Sequence, residues 1–558
     1  MEEITNLLLK VYDLDQVRFI KNELQNLIEK YAPIIKNDKL SLTEKDVVLI
    51  TYGSQVYKKD ETNLQTLNKL LTEQLKEEIS IVHLLPFYPF CSDDGFSVID
   101  YYSVNPDLGN WDDIISISRN FKLLFDAVIN HTSRYCEWFK KFMNNEDYYK
   151  NYYIEIDDPA EYSNVVRPRT TPLIHSFESN GIRKTVWTTF SENQVDLNFK
   201  EPKVFLQVMD ILLFYISKGA HIIRLDAVGF LWKEKNTASI HLPQTHALIK
   251  VMRKVIEQIP SSAMLLSETN VPHNENISYF GNGNEAHMVY NFTLPPLLAY
   301  SILSGNTKKF TEWAQTLETP YSNVCYFNFL ASHDGIGLRP VDHILNEEEL
   351  NIVIDSAKAN GGQVSYKLNP DGKQSPYEVN CNYFSLLKGP EKDEELGIQR
   401  IILAHAVLLT MPGLPAIYFH SMFGSENDVK GMNESGINRR INRQRLEYND
   451  LMRVLTASDS RQARILNNLK KLIRIKKNEP AFNPYNPFRV ERPGKGIFSL
   501  TRISSNGMSE VKSFYNLGTE KITLPLEYPE TKTDLINGNS YKNRLELNPL
   551  DFVWLKIK

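Results

Sequence analysis

The chain of 558 residues contains only four cysteines, Cys91, Cys136, Cys325 and Cys381. They lie far apart with no C-x-x-C pair, which argues against a zinc site or a disulfide framework and for free thiols in a reducing compartment. A basic excess is also missing. There are 63 Lys and Arg against 68 Asp and Glu, and a net charge of −5 speaks against nucleic acid as a partner. That balance still allows a pocket in which two or three arginines meet a small anion. The opening "MEEITNLLLKVYD" has no cationic stretch ahead of an apolar core, so it does not read as a secretory leader. Long apolar runs are lacking too. The nearest, residues 401–419, is broken by His405, two prolines and a glycine, and reads as a helix running into a strand rather than a membrane span. No repeat and no low-complexity segment is visible. The expectation is a soluble, cytoplasmic protein with small-molecule substrates.

What is present is ordinary globular composition, 42% hydrophobic and 23% charged, in a chain long enough to bury a large core without covalent staples. In residues 1–44 the spacing of Ile4, Leu7, Leu8 and Val11, then of Ile20, Leu24, Leu27 and Ile28, predicts two amphipathic helices as an N-terminal extension. Short apolar runs follow at 46–52, 80–87, 122–131, 220–230, 263–270, 286–292, 324–335 and 414–420. Helical patterns near 63–77, 111–119, 203–218, 244–258 and 396–410 lie between them. Eight such units predict an α/β chain built as a (β/α)8 TIM barrel, spread over 45–131, 197–334 and 399–479. Residues 132–196 and 335–398 are too long for barrel loops and predict two inserted subdomains, the second with a turn-rich loop at 369–378 and a candidate mobile element. From 480 to 558 the texture changes to short β-like runs, which predicts a C-terminal antiparallel β domain.

The chemistry sits at the strand ends. In a barrel of this type, polar residues at the C-terminal ends of the strands converge on one mouth. Asp126, Asn130 and His131 end one strand, and Arg224 with Asp226 another. Glu268 with Asn270 ends a third, and His333 with Asp334 a fourth. Residues two apart on a strand share a face, so Arg224 and Asp226 point into the mouth together. Any one of these residues taken alone reads as a cap or an ion-pair member. Four charged strand ends in one barrel read as a site. Asp226, beside Arg224, is expected to stay ionised, and Glu268, in an apolar pocket, to hold its proton longer. A nucleophilic carboxylate paired with a protonated acid is the machinery of retaining glycoside chemistry. Asp334 supplies a third carboxylate for sugar hydroxyls and an oxocarbenium-like state.

The segments "DAVINH", "IIRLDAVGF", "LLSETN" and "FLASHD" resemble, in order, the four signature segments of the α-amylase superfamily. "LITYGSQ", "HLLPFYPFCSDDGFSVIDY", "RPRTTP" and "VWTTFSENQVDLNF" are similar to the sucrose phosphorylase branch. The N-terminal extension, "FLASHDGIGLRP" and "SETNVPH" resemble the glucosylglycerate phosphorylases within it. The resemblance implies Asp226 as nucleophile, Glu268 as general acid/base and Asp334 as transition-state stabiliser. It implies that Arg224 orients the nucleophile and that His131, His333 and Asp93 bind glucosyl hydroxyls. Phe190 and Gln194 are expected in the donor pocket, and Arg169, Tyr377 and Arg443 around phosphate and acceptor. Glu378, Phe230 and Asn270 stand where the sucrose enzymes carry glutamine, tyrosine and histidine, and Arg339 adds a cation that they lack.

The expected reaction is phosphorolysis of 2-O-α-glucosylglycerate to α-glucose 1-phosphate and D-glycerate, with no cofactor and no metal, phosphate being a substrate. Arg169 and Arg443 are the candidates for phosphate and Arg339 for an acceptor carboxylate; a loop-ordering ion pair is the other role open to Arg339. Phosphorolysis of sucrose, sucrose 6-phosphate or glucosylglycerol, or hydrolysis and transglucosylation by the same carboxylates, stand as alternatives. A non-catalytic relative would lack the complete carboxylate set. A homodimer is compatible with the sequence.

Overall fold

The computed structural model describes residues 1–35, 40–318, 321–368 and 373–558. Eight parallel strands close into a barrel: β1 (Val48–Thr51), β2 (Ile81–Leu84), β3 (Lys122–Ala127), β4 (Ala220–Leu225), β5 (Met264–Ser267), β6 (Met288–Tyr290), β7 (Cys325–Phe329) and β8 (Leu414–Tyr418). Around the barrel the order is β1-β8-β7-β6-β5-β4-β3-β2, the sequence order taken round a circle, and every pairing is parallel. The strands read as unbroken apolar runs because one face fills the barrel and the other meets the surrounding helices. The predicted (β/α)8 architecture is therefore present.

Helices Asn63–Gln74, Trp111–Ser118, Pro202–Ser217, Pro243–Ile256 and Glu394–Thr410 occupy the predicted positions. Three connections depart from the regular alternation. Only a five-residue helix, His273–Ile277, leads out of β5. Between β6 and β7 lie two helices without a sequence forecast, Leu294–Ser304 and Lys308–Ala314. The first reads "LPPLLAYSILS"; it is almost wholly buried, so it has no polar face to mark its period. After β8 the helix Arg461–Lys477 packs on Glu394–Thr410. At the β8 entrance Gly413 has φ 125°, and a Cβ there would stand 2.3 Å from the Tyr326 carbonyl oxygen. Only glycine lets the chain pass β7 so closely.

The N-terminal extension is two helices, Glu2–Leu8 and Leu14–Tyr31. Asp13 and Gln16 form a reciprocal capping box at the start of the second. Val17, Ile20, Leu24 and Ile28 bury one stripe of that helix against Pro202–Ser217, and the Asp210 carboxylate accepts hydrogen bonds from Lys30 and Tyr31 at 2.7 and 3.0 Å.

Within 132–196, the antiparallel pair His131–Ser133 and Gln194–Asp196 closes the base of a unit that carries helix Glu137–Met143 and the hairpin Ile174–Ser179/Ile182–Trp187. Within 335–398, strands Ile336–Gly337, Gln374–Asn380 and Gln363–Leu368 form an antiparallel sheet beside helix Glu347–Ala359. The forecast of a turn-rich loop over 369–378 is corrected in part. Residues 374–378 are strand, because they pair with 363–368; residues 369–372 lie outside the described residues.

Beyond residue 480 a six-stranded sheet and a two-stranded ribbon build the C-terminal unit. Arg502, fully buried, ties it to the barrel by donating to the carbonyls of Thr410, Met411 and Asn483 at 2.7–3.0 Å. No helix among the described residues is long and apolar enough to cross a membrane.

Candidate active site

The mouth of the barrel holds a cleft whose floor is made by the β4, β5 and β7 ends and whose walls come from both inserted segments. Asp226, Glu268 and Asp334 all line it. Arg224, 1% exposed, lies beneath them. Its Nη1 is 2.9 Å from Asp226 Oδ1 and its Nη2 is 4.0 Å from Glu268 Oε1. Directly after Asp226 the backbone of Ala227 turns through a left-handed conformation, φ 49°, which costs an alanine about 1–2 kcal/mol. That turn aims the Ala227 N–H at Glu268 Oε2, 2.8 Å away, so the strained residue links the ends of β4 and β5.

Asp226 answers to more than the neighbouring arginine. Burial pushes the Asp226 carboxyl well up, Arg224 pulls it down, and Glu268, Asp126 and Asp334 push it up again. Burial also raises Glu268, with Arg224 and the Ala227 N–H opposing and Asp334 adding. Together these effects favour keeping a proton within the Asp226–Glu268 pair. Arg224 lies closer to Asp226, which favours the charge on Asp226 and the proton on Glu268.

Asp334 is the opposite case. Burial pushes its carboxyl up, but Arg439, His333, Arg224 and Arg443 together hold it well below the usual carboxylate range. Arg439 Nη1 is 2.5 Å from Asp334 Oδ1, and its Nη2 and Nε reach the two oxygens of Glu378 at 2.6 and 3.0 Å. Arg439 was not identified from sequence. It sits in the turn Asn438–Asn442, in "NRRINRQR", where four arginines within eight residues give no periodic signal to single one out.

The remaining expected residues fall into three groups. Asp93, His131, Arg169, Phe190, Gln194, Asn270, His333, Arg339, Tyr377, Glu378 and Phe230 line the cleft. Several of these are already committed to the protein. His131 Nε2 donates to the Phe96 carbonyl at 2.8 Å, as Gln194 Nε2 does at 2.9 Å, and Glu378 is occupied by Arg439. Others present unused polar atoms or apolar faces. His333 stacks on Phe96 at 4.5 Å, is pushed down to about 3 by burial and is therefore neutral; its Nδ1 lacks a hydrogen-bond partner among the described residues. Asn270 Oδ1 is likewise buried and unpartnered. Phe190 and Phe230 meet edge to face at 5.7 Å.

Arg443 forms the third group, because it stands behind the cleft rather than on its wall. Its Nε donates to the His333 carbonyl at 2.8 Å and its Nη1 to Asp94 at 2.7 Å, with Asp93 at 3.4 Å. These contacts hold a tight turn in which Asp93 and Asp94 both have φ 48° and Gly95 has φ 116°. A Cβ on Gly95 would stand 2.6 Å from the Pro86 carbonyl oxygen.

Of the arginines in or near the cleft, Arg224, Arg439 and Arg443 have their charge opposed by carboxylates within 3 Å. Arg339 faces one half-exposed carboxylate, Glu275, at 3.4 Å, and Arg169 makes no ion pair or hydrogen bond with any described residue. No group of three or more His, Cys, Asp or Glu among the described residues is arranged to hold a metal ion.

Residues 74–339 match the family description "Alpha amylase, catalytic domain". The glucosylglycerate phosphorylase of Spirochaeta thermophila is 43% identical over 489 residues, covering 88% of this chain and 82% of that protein. The Escherichia coli glucosylglycerate phosphorylase is 38% identical over 561 residues, the full length of both. Among solved structures, sucrose 6F-phosphate phosphorylase from Thermoanaerobacter thermosaccharolyticum superimposes with a TM-score of 0.75 over 91% of this chain and 99% of that one, at 23% identity.

Proposed function

This chain belongs to the glucosylglycerate phosphorylase family of α-amylase-type enzymes, and we propose that it cleaves 2-O-α-glucosylglycerate with inorganic phosphate to α-glucose 1-phosphate and D-glycerate. Asp226 attacks the anomeric carbon as the bond to the glycerate oxygen breaks. The departing oxygen takes the electron pair of that bond and the proton of Glu268. In the second step a phosphate oxygen attacks the same carbon, the bond to Asp226 breaks with its electron pair returning to the carboxylate, and Glu268 recovers a proton from hydrogenphosphate. Two inversions leave the α configuration. Asp334 faces the sugar and favours the cationic transition state.

The observation that carries this reading is the unequal commitment of the arginines. A phosphorylase must hold a phosphate dianion, and here a glycerate carboxylate as well, beside a cluster of carboxylates. Arg169 makes no ion pair with any described residue and feels the Asp93 carboxylate only at longer range, and Arg339 meets only a half-exposed carboxylate. Guanidinium groups with free donors bind such anions in a fork geometry. Arg169 is the phosphate ligand and Arg339 meets the acceptor carboxylate. Arg443, expected at the phosphate, instead supports the Asp93–Gly95 turn, and Glu378 holds Arg439. The barrel supplies the carboxylates and the two inserted segments supply the anion-binding wall.

The test is synthesis in reverse. Enzyme is incubated with α-glucose 1-phosphate and a panel of glycerate, glycerol, fructose, fructose 6-phosphate and water, and phosphate release is followed. Turnover is expected with D-glycerate far above the others. Absence of turnover with glycerate, or equal release with water alone, would overturn the assignment.

A further inference from the structure

Behind Asp226 runs a line of buried side chains from three adjacent strands: His83 on β2, Asp126 on β3 and Arg224 on β4, none more than 1% exposed. Asp126 and Arg224 are direct partners in the parallel register, so the sheet itself sets them side by side. His83 Nε2 is 2.7 Å from Asp126 Oδ2. Arg224 Nη1 donates to Asp126 Oδ1 at 2.5 Å and to Asp226 Oδ1 at 2.9 Å. One nitrogen thus serves two carboxylates.

Two orphaned atoms narrow the roles. His83 Nδ1 and Arg224 Nε are buried without hydrogen-bond partners among the described residues. Burial lowers the pKa of His83, Arg224 lowers it further, and Asp126 only partly compensates, so the ring is neutral and carries one proton. An ionised Asp126 needs a donor, which places that proton on Nε2. Asp126 is in turn held ionised: burial raises it, but Arg224 and His83 outweigh that. Among the described residues the side-chain partners of this carboxylate are His83 and Arg224 alone, and it is fully buried, so it touches no substrate. It acts on the cation.

We propose that His83 and Asp126 form a positioning relay that orients Arg224 and divides its charge, setting how Asp226 balances attack on the sugar against departure from it. The proposal rests on Asp226 being the nucleophile. A carboxylate facing an undivided guanidinium is a weaker base, so it attacks more slowly and leaves more readily. With Asp126 present, Arg224 is shared, and Asp226 keeps enough basicity to attack.

Double-displacement kinetics separate the two steps. With α-glucosyl fluoride as donor, kcat/KM for the fluoride reports formation of the glucosyl-enzyme, and kcat/KM for phosphate reports its breakdown. In Asp126→Asn the first constant is expected to fall by on the order of 10²-fold, and the second by much less. His83→Phe shifts the ratio in the same direction, and His83→Gln, which retains an N–H at comparable reach, restores it. Equal losses in both constants for Asp126→Asn and His83→Phe would overturn the relay, as would a His83→Gln ratio like that of His83→Phe. Should Asp126→Asn fail to fold, the two His83 variants decide. The nucleophile itself is checked separately by trapping with 5-fluoro-α-glucosyl fluoride and mapping the labelled peptide. A label away from Asp226 would overturn that assignment whatever the ratio.

Discussion

Arg439 Nη1 lies 2.5 Å from Asp334 Oδ1 while the other edge of the same guanidinium grips Glu378, so a single side chain ties the end of β7 to the inserted strand Gln374–Asn380. Breaking a buried pair by removing one partner costs about 3–5 kcal/mol, because the other charge is left in the interior. Arg439→Ala strips buried Glu378 and partly buried Asp334 of their nearest cation. The expected result is a loss of that order in urea unfolding, partly recovered in Arg439→Leu/Glu378→Leu.

The same substitution has a pH signature. Arg439 is the foremost of the cations that hold the Asp334 carboxyl low against burial. Without it the carboxyl moves up, and the acid limb of kcat/KM shifts to higher pH. An unmoved limb would mean that Asp334 is not the group that titrates there.

Acid should destabilise this protein early. Burial pushes His287, His333 and His420 down to about 3, and His241, His273 and His405 to about 4. In the unfolded chain each takes a proton near pH ~6.5, and in the folded chain none does until far lower. Below about pH 6.5 the unfolded state therefore binds more protons, and stability falls as pH falls. The raised carboxyls of Asp226, Glu268, Glu285 and Asp534 work in the other direction, but they are fewer. The urea midpoint is expected to drop clearly between pH 7 and pH 5; a flat profile would show that these rings open to solvent.

Lys233 joins the barrel to the first inserted segment. Its buried Nζ is 2.7 Å from Asn130 Oδ1 and 2.9 Å from Asp196 Oδ2, and Asp196 also accepts from Thr189. Lys233→Ala leaves Asp196 buried without its cation, with a cost again of about 3–5 kcal/mol. Limited proteolysis within 132–196 should accelerate first.

Gly337 sits where a Cβ would stand 2.5 Å from Asn270 Oδ1. Gly337→Ala pushes a cleft-lining side chain that follows Glu268 by two residues. Unfolding should change by less than about 1 kcal/mol, while KM for the acceptor rises on the order of tenfold, the scale of one lost or displaced hydrogen bond. An unchanged KM would remove Asn270 from the acceptor contacts.

How much of this was legible in the sequence depended on whether burial and polarity conflicted. Asp126, Arg224, Asp226, Glu268 and Asp334 stood out because charge interrupts strands that are otherwise apolar. His83, within "SIVHLLPF", is as deeply buried, but a lone histidine in an apolar run gives no warning that it faces Asp126. Arg443 was expected in the cleft and Arg439 lines it instead, since which arginine enters is set by the turn Asn438–Asn442 and not by spacing. Helix Leu294–Ser304 lacked a period because it is buried nearly all round. The forces acting on the Asp226 carboxyl were only partly legible, because one neighbouring cation is visible in the sequence, whereas desolvation and the carboxylates from β3, β5 and β7 appear only once the barrel closes.

The most direct test of the whole account is product analysis in the forward direction. 2-O-α-Glucosylglycerate and inorganic phosphate are incubated with enzyme and followed by 31P and 1H NMR. Equimolar α-glucose 1-phosphate and D-glycerate, with negligible free glucose, are the predicted outcome. Free glucose as the main product, a β-phosphate, or no cleavage would contradict it.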